Sequence, residues 1–378
     1  MTHSISSSAY TDSKQHYHLL DGLRGVAALM VIVYHLFECF PTDTWIIGHG
    51  YLAVDFFFIL SGFVLGYAYD ERWSKTVPER KRLTVWSFFK RRLVRLHPMV
   101  VMGIALGVLT FYLQGGTRWD GTHVAVSAVM LAVLFHLFFI PEIPGASSDI
   151  RGNGEMFPLN GPHWSLFFEY IGNIFYALLL RRLSTKMLTV WVIVTGVAFA
   201  AFGLSDVVGY GNIGVGWTLD GMNFWGGLLR LTFPFSCGLL MSRVFKPMKI
   251  RGAFWICTVL IVTFLSIPNL GAMNCIYEVA CVMIVFPLVV YMAASGVTTD
   301  STSTALCRFL GDISYPLYAV HYPFMYLFYN YIGFPETWRT PAETWPWMVA
   351  LAVGNVLLAY AVLKLYDEPL RRWLSKKM

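Results

Sequence analysis

The feature that most constrains the fold is a series of apolar segments, each about as long as a membrane-crossing helix. The first is expected over residues 23–40 and the second over 51–69, which read YLAVDFFFILSGFVLGYAY. About 20 apolar residues in an α-helix span the hydrocarbon core of a bilayer. Only 13% of the residues are charged, whereas soluble domains carry about 25%. The sequence therefore predicts an all-α polytopic membrane protein.

Basic residues cluster in short segments between the apolar ones, which predicts the orientation. Residues 70–95 form a strongly basic loop, and the last residues of the chain are basic as well. Short loops rich in Lys and Arg stay on the cytoplasmic side of a membrane. Both termini are therefore expected in the cytoplasm. The net charge of +6 comes from these loops, so a lipid bilayer is expected as partner and nucleic acid is not.

The domain organisation follows from the same pattern. Residues 1–17 are polar and rich in Ser, which predicts a disordered cytoplasmic tail. Residues 18–372 are expected to form one transmembrane domain, and residues 373–378 a second cytoplasmic tail. The predicted location is the inner (plasma) membrane.

The number of apolar segments conflicts with the orientation. We count eleven, but two cytoplasmic termini require an even number of crossings. The conflict lies between residue 95, placed inside, and residues 141–163, placed outside, because two apolar segments, 99–114 and 124–140, separate them. One of the two is therefore predicted to be re-entrant, or the two form one broken crossing, which leaves about ten full spans.

The first apolar segment holds ionisable groups that are costly in hydrocarbon and therefore suggest a site. Arg24 and His35 are eleven residues apart, so they share nearly one helix face and differ in depth by about 16 Å. Asp21 and Glu38 lie three residues from them, close enough for each pair to meet. The alternatives are snorkelling for Arg24 and a hydrogen-bonded core position for His35.

Residues 88–98, FFKRRLVRLHP, place Arg92 and Arg95 on one helix face. Arginine forks suit phosphates, so this segment could bind the phosphates of a nucleotide-bearing donor. The alternative is an ordinary cytoplasmic anchor. The sequence has no GxxxxGK[ST] motif, which argues against an ATP-driven pump. The six cysteines have no metal-ligand spacing, so no metal site is expected.

Other polar residues in apolar segments are candidates for substrate contact or for contacts between helices. They are Asp55 and Ser61 in the second segment, Trp164, Ser165 and Glu169 near the start of a later one, and Tyr315 and His321 in another.

These segments resemble, in order, the motifs of the acyltransferase family 3 integral membrane proteins, which O-acylate polysaccharides, peptidoglycan, lipids and some small molecules. LDGLRGVAALMVIVYH resembles the family's R-x10-H signature, and FKRRLVRLHP resembles its RxxR element. GPHWSLFFE, ISYPLYAVHYP and YDEPLRR resemble its WSLxxE, SYxxYLxHxP and ExP elements. The resemblance covers about residues 18–372 and implies ten transmembrane helices. His163 departs from the usual pattern, so the resemblance implies no role for it.

The resemblance implies an acyl-CoA-dependent O-acyltransferase. We expect it to move an acyl group, acetyl in the first instance, from cytoplasmic acyl-CoA to an acceptor hydroxyl outside. The acceptor would be a polysaccharide, glycolipid or small molecule. Acyl-CoA would act as a substrate, and no permanently bound cofactor is expected.

Roles follow for the individual residues. His35 would act as base, because its ordinary pKa is near 6.5, and Glu38 or a cross-helix carboxylate would orient it. Glu169 is the third catalytic candidate. Arg92 and Arg95 would hold the CoA phosphates, with Arg24 along the donor path. The remaining candidates for substrate contact or structure are Asp21, Asp55, Ser61, Trp164, Ser165, Tyr315 and His321.

Alternatives remain at this stage. His35 could deprotonate the acceptor directly or carry the acyl group as an acyl-imidazole. A transporter or flippase of a glycan or lipid could use the buried Arg and His as a proton or anion path. A non-catalytic membrane scaffold would not need His35 at all.

Overall fold

The computed structural model describes residues 17–74, 77–78, 82–297, 300–336 and 338–377. Most of the tail expected over residues 1–17 therefore lies outside the described residues. The described helices, in chain order, are α1 (His18–Phe37), α2 (Ala53–Tyr69), α3 (Val85–Leu113), α4 (Val126–Leu137), α5 (His163–Leu178), α6 (Thr185–Ser205), α7 (Gly221–Val244), α8 (Ala253–Ser266), α9 (Asn274–Ala280), α10 (Phe286–Ala294), α11 (Ser301–Val320), α12 (Tyr322–Ile332), α13 (Pro341–Val362) and α14 (Glu368–Lys376).

Irregular turns and a minimal sheet complete the described secondary structure. π-helical turns join α9 to α10 (Cys281–Val285) and α13 to α14 (Leu363–Asp367). Strands β1 (Ile250–Arg251) and β2 (Gly296–Val297) pair in parallel, with Ile250 opposite Gly296. The chain is thus built almost wholly of helices, which confirms the predicted all-α polytopic class.

Seven helical stretches among the described residues are long and apolar enough to cross a bilayer, namely α1, α2, α3, α6, α7, α9 with α10, and α13 with α14. Helices α5 and α8 have 16 and 14 residues, and α11 contains several polar residues. Counting these three as further crossings would give the expected ten. The number ten therefore stays a prediction, whereas the multi-pass membrane architecture is established.

The partial element between α3 and α5 is α4. It has 12 residues, which make a helix of about 18 Å, too short for a hydrocarbon core of about 30 Å. The other segment in question, 99–114, belongs to α3, which has 29 residues and is about 43 Å long. The predicted partial segment is therefore 124–140.

The basic loop is shorter than the expected 70–95. Helix α3 begins at Val85, where Thr84 and Ser87 form a reciprocal capping box. It then continues through Pro98 without a break. Arg92 and Arg95 consequently project from a continuous helix. Proline inside a helix removes one hydrogen bond, but tertiary packing preserves the helix here.

Helix α1 lies at the centre of the bundle. Of its most apolar 18-residue stretch, 72% is buried, compared with 28% for the equivalent stretches of α6 and α13. The helix starts at His18, five residues before the expected start, because Leu19, Leu20 and Leu23 are all buried in the core. It ends at Phe37, before Pro41, which cannot continue a helix.

Two helix pairs pack most closely, α1 on α11 and α2 on α7. Glycines allow both contacts: a Cβ at Gly25 would overlap the Leu310 carbonyl, and one at Gly62 would overlap that of Phe235. We call the end of the bundle at which α1 begins the Arg24 face and the end at which it finishes the His35 face. The two packed pairs bring polar residues together at both faces.

Candidate active site

The last turn of α1 carries a histidine–carboxylate pair. His35 Nδ1 lies 2.6 Å from Glu38 Oε2, so the contact expected from their three-residue spacing is confirmed. An ionised carboxylate only accepts hydrogen bonds, so Nδ1 carries the ring proton and the lone pair of the neutral ring lies on Nε2. Among the described residues, none forms a hydrogen bond with Nε2. This arrangement leaves a basic nitrogen available for chemistry.

The pair is held by side chains from the region around α12. Tyr329 Oη donates to the His35 carbonyl at 2.7 Å and lies 3.2 Å from Glu38 Oε2. The His35 ring stacks on His321 at 5.4 Å and meets Tyr322 edge-on at 4.7 Å. His321 Nδ1 donates to the Tyr318 carbonyl at 2.9 Å. These contacts fix the imidazole and place the sequence-predicted His321 beside it.

His35 and Glu38 line a cavity of about 400 Å³ at the His35 face. Small-molecule sites in proteins typically measure about 300–1,000 Å³. Its walls include seven tyrosines and four tryptophans, the latter being Trp45, Trp119, Trp164 and Trp217. The acidic and basic side chains on its walls are His35, Glu38, Glu155 and Arg230. An aromatic cavity with few charged groups suits an uncharged ligand.

Glu155 belongs to the segment between α4 and α5, outside the helices. Its side chain is 8% exposed, and burial raises its pKa to about 7 against the opposing effects of Tyr326 and Arg151. Tyr326 Oη donates to Glu155 Oε2 at 2.5 Å. Glu155 was not among the candidates from the sequence, because a single glutamate in a polar loop does not indicate a site.

At the Arg24 face, Arg24 bridges α1 and α11. Its Nη2 donates to Asp21 Oδ1 at 2.9 Å and its Nε to Ser314 Oγ at 2.9 Å. The expected contact between Asp21 and Arg24 is therefore confirmed. The Arg24 side chain is still 25% exposed. Arg24 is thus anchored within the protein and also accessible.

Arg92 and Glu169 form an ion pair between α3 and α5. Arg92 Nη2 lies 2.7 Å from Glu169 Oε1, and Ser61 Oγ donates to the same oxygen at 3.2 Å. Glu169 therefore contacts Arg92 and Ser61, and in the described structure it does not orient His35. The physical reason is that the packing of α3 on α5 places an arginine beside this carboxylate. Glu38 is the carboxylate in contact with His35.

The two arginines of the RxxR element differ in environment. Arg92 is 6% exposed, whereas Arg95 is exposed. Among the described residues, no carboxylate forms an ion pair with Arg95. Its charge still acts on Arg24, Arg92 and Asp367. Of Arg24, Arg92 and Arg95, the first and the last are therefore accessible to an anion, whereas Arg92 is paired with Glu169.

A buried ion pair joins α2 to α7. Arg230 donates from Nη2 to Asp55 Oδ2 at 2.7 Å and from Nε to Asp55 Oδ1 at 3.1 Å. The side chains are 1% and 0% exposed, and the guanidinium lies 5.2 Å from the Trp164 ring. Asp55 and Trp164 were candidates from the sequence, whereas Arg230 was not. The sequence feature that could have indicated Arg230 is a lone charge inside an apolar segment.

The remaining sequence-predicted residues support the framework. Ser165 Oγ lies 2.6 Å from Tyr318 Oη, which couples the start of α5 to α11. Tyr315 Oη donates at 2.6 Å to the carbonyl of Leu96, in the turn of α3 that contains Pro98.

A histidine pair anchors α4. His136 Nε2 lies 2.8 Å from His163 Nδ1, and both side chains are buried. His163 Nε2 donates to the Ala319 carbonyl at 3.2 Å, so His163 Nδ1 is the acceptor and His136 Nε2 the donor. His163, to which the sequence gave no role, therefore holds the short helix against α5.

Comparison with known proteins agrees with these observations. A family model described as an acyltransferase domain matches residues 17–364. Protein 2 in the picA locus of Rhizobium radiobacter is 37% identical over 194 residues, which are 49% of this chain and 95% of that protein. Acyltransferase MdmB of Streptomyces mycarofaciens is 26% identical over 370 residues, 89% of this chain and 87% of that protein.

O-acetyltransferase OatA of Staphylococcus aureus (strain NCTC 8325 / PS 47) is 38% identical over 94 residues, which are 25% of this chain and 14% of that protein. No solved structure matches the chain significantly. The family match covers nearly the whole helical domain, including both faces of the bundle. The chain is therefore a membrane protein that belongs to the acyltransferase family 3.

Proposed function

We propose that this membrane acyltransferase moves an acyl group, acetyl in the simplest case, from cytoplasmic acyl-CoA to a hydroxyl of a glycan or related acceptor across the membrane. The observation that carries the proposal is the His35–Glu38 pair on the wall of an aromatic cavity. In this proposal the Arg24 face is cytoplasmic, as are both termini, and the protein lies in the inner membrane.

The names of two relatives support the chemistry. MdmB is named an acyltransferase and OatA an O-acetyltransferase. An oxygen acceptor and an acetyl donor group are therefore the first choices for this chain. The cavity at the His35 face suits a ring-shaped acceptor better than a long charged one.

His35 would act as a general base. Its Nε2 takes the proton of the acceptor hydroxyl while the oxygen attacks the thioester carbonyl. The tetrahedral intermediate then loses CoA thiolate, which receives the proton from His35. The products are the ester and CoA thiol, with no net proton gained or lost. Glu38 keeps Nδ1 protonated and stabilises the transient imidazolium, as the carboxylate of a histidine–carboxylate dyad does.

The donor would approach from the Arg24 face. Arg95 is exposed and Arg24 partly exposed there, and guanidinium groups bind phosphates well. His35 lies about 16 Å further along α1. The extended pantetheine arm of acyl-CoA covers a distance of this order, so the nucleotide end would stay in the cytoplasm while the thioester reaches His35.

Two routes for the acyl group lead through the same nitrogen. The acceptor attacks the thioester directly, or His35 Nε2 first takes the acyl group as an acyl-imidazole. Rapid quench of the purified protein with labelled acetyl-CoA, without acceptor, separates them. Label bound to protein at a histidine supports the carrier route, and its absence excludes that route.

The proposal as a whole is tested by CoA release. The protein purified in detergent is incubated with acetyl-CoA and a range of ring alcohols, and free thiol is measured. We expect release that depends on an added alcohol. No release with any alcohol, combined with no binding of acetyl-CoA, would contradict the proposal and favour transport of a glycan or lipid.

A further inference from the structure

The cavity contains a second carboxylate that acyl transfer, as described above, does not use. Glu155 lies on the cavity wall and interacts electrostatically with Glu38. Two consecutive ring contacts link the reacting histidine to this region: His35 lies 4.7 Å from Tyr322, and Tyr322 lies 4.7 Å from Tyr326. Tyr326 then hydrogen-bonds to Glu155. Glu155 and His35 therefore line the same cavity, and Tyr322 and Tyr326 connect them.

The carboxylate is held by a rigid stack. The Arg151 guanidinium lies 3.3 Å from the centre of the Tyr326 ring and 5.3 Å from that of Trp119. Arg151 is 1% exposed, and it donates to the Pro158 carbonyl at 2.7 Å and to Gln114 Oε1 at 2.8 Å. This stack fixes Tyr326, which in turn fixes one oxygen of Glu155. Such fixed placement favours binding of a defined ligand group.

Hydrogen-bonding capacity remains unused in this wall. Trp119 Nε1 has no hydrogen-bond partner among the described residues, and Trp119 lines the cavity. Tyr326 occupies Glu155 Oε2, and a carboxylate offers further acceptor positions on both oxygens. A hydroxyl group can donate to a carboxylate and accept from an N–H at the same time. The chemistry of this wall thus matches a ligand hydroxyl.

We propose that Glu155, with Trp119 and Tyr326 beside it, forms a subsite for a second hydroxyl on the acceptor ring, distinct from the hydroxyl that His35 deprotonates. The inference rests on the proposed function and extends it to acceptor choice. A ring with two hydroxyls would be held at both ends, at His35 and at Glu155. A ring with a single hydroxyl would leave the buried carboxylate without its ligand, which weakens its binding.

The test compares ring alcohols that differ by one hydroxyl. CoA release by the purified full chain is measured at saturating acetyl-CoA with cyclohexanol, trans-1,2-cyclohexanediol and trans-1,4-cyclohexanediol. The assay is run at about pH 8.5, where a carboxyl group with the pKa of about 7 given for Glu155 is ionised. We expect the better diol to exceed cyclohexanol in kcat/KM by about tenfold or more, the scale of a hydrogen bond to a charged group. Most of this preference should lie in KM.

Variants assign the preference to Glu155. In Glu155→Gln the ratio of diol to cyclohexanol should fall to within about twofold of one, since the charged acceptor is lost. Tyr326→Phe, which removes only the hydroxyl that holds Glu155, should lower the ratio partially. Asp120→Asn, an exposed carboxylate in the segment between α3 and α4, is the matched control and should keep the wild-type ratio.

The outcomes are distinct. Equal kcat/KM for the diols and cyclohexanol in the wild type would overturn the inference while leaving the proposed function standing. A wild-type ratio retained in Glu155→Gln would overturn it as well. No alcohol-dependent CoA release with any of the three would contradict the proposed function, and the inference would fall with it. The wild-type comparison needs no variant, so it stands even where a substitution prevents folding.

Discussion

His35 Nδ1 and Glu38 Oε2 lie 2.6 Å apart at the end of α1. One helix supplies both residues, so the pair depends on local geometry and not on the assembly of distant segments. The contact sets the tautomer of the ring and leaves Nε2 as the basic nitrogen. In the proposed mechanism Glu38 is therefore a positioning residue for His35.

Glu38→Gln should lower kcat on the order of 10³-fold with little change in the KM for acetyl-CoA. The amide can donate to Nδ1 and so favour the tautomer whose Nε2 carries the proton, which cannot act as base. Initial rates of CoA release measure this. Asp43→Asn, an exposed carboxylate five residues further along, should retain wild-type rates. A Glu38→Gln enzyme within about twofold of wild type would remove the dyad from the mechanism.

Arg95→Ala should raise the KM for acetyl-CoA about five- to tenfold and leave thermal stability nearly unchanged. The side chain is exposed, so its loss should remove the proposed phosphate contact without disturbing packing. The effect should shrink at high salt, because exposed charges are screened. Lys90→Ala, another exposed cation on α3, is the control, and an equal rise in KM there would mean that general charge explains the effect.

Arg92→Ala should behave in the opposite way, with a clear loss of thermal stability. Its guanidinium is buried and paired with Glu169 at 2.7 Å, so removal leaves Glu169 without its partner. Breaking a buried pair costs about 3–5 kcal/mol in typical proteins, and the 21% exposure of Glu169 places this pair at or below the lower end. An unfolding temperature of Arg92→Ala equal to that of Arg95→Ala would contradict the structural role of Arg92.

The contribution of Glu155 to stability should fall as the pH rises from about 5 to about 7. Burial raises the pKa of this carboxyl from 4.5 to about 7. Between these values the folded protein holds a proton that the unfolded chain has released, so the free energy of unfolding decreases with increasing pH. Thermal unfolding at pH 5.5 and 7.5 should therefore show that Glu155→Gln loses less stability over this interval than the wild type, or gains more. Identical pH effects in both proteins would contradict this assignment.

The local parts of the site could be predicted from the sequence. Arg24 with Asp21 and His35 with Glu38 follow from helical periodicity, which needs no knowledge of neighbouring helices. The partial segment between α3 and α5 could also be predicted. Two cytoplasmic termini require an even number of crossings, whereas the sequence has eleven apolar segments. The choice between its two candidates required the structure, in which 99–114 is part of the continuous helix α3.

Contacts between distant segments could not be predicted. Glu169 was a catalytic candidate through its motif, but its ion pair with Arg92 depends on the packing of α3 on α5. Asp55 was recognised without its partner Arg230, 175 residues away. Glu155 reaches the cavity only because the segment between α4 and α5 folds over α12. These relationships depend on tertiary packing, on which a helical or charge pattern carries no information.

The central claim is that His35 Nε2 is the reacting base, and one comparison tests it most directly. CoA release from acetyl-CoA in the presence of an acceptor alcohol is measured for the wild type and for His35→Ala, together with acetyl-CoA binding by each. We expect His35→Ala to bind acetyl-CoA and to lose at least about 10²–10⁴-fold in alcohol-dependent rate, the usual contribution of a general base. A variant that binds acetyl-CoA and keeps its rate within about twofold of wild type would contradict the claim.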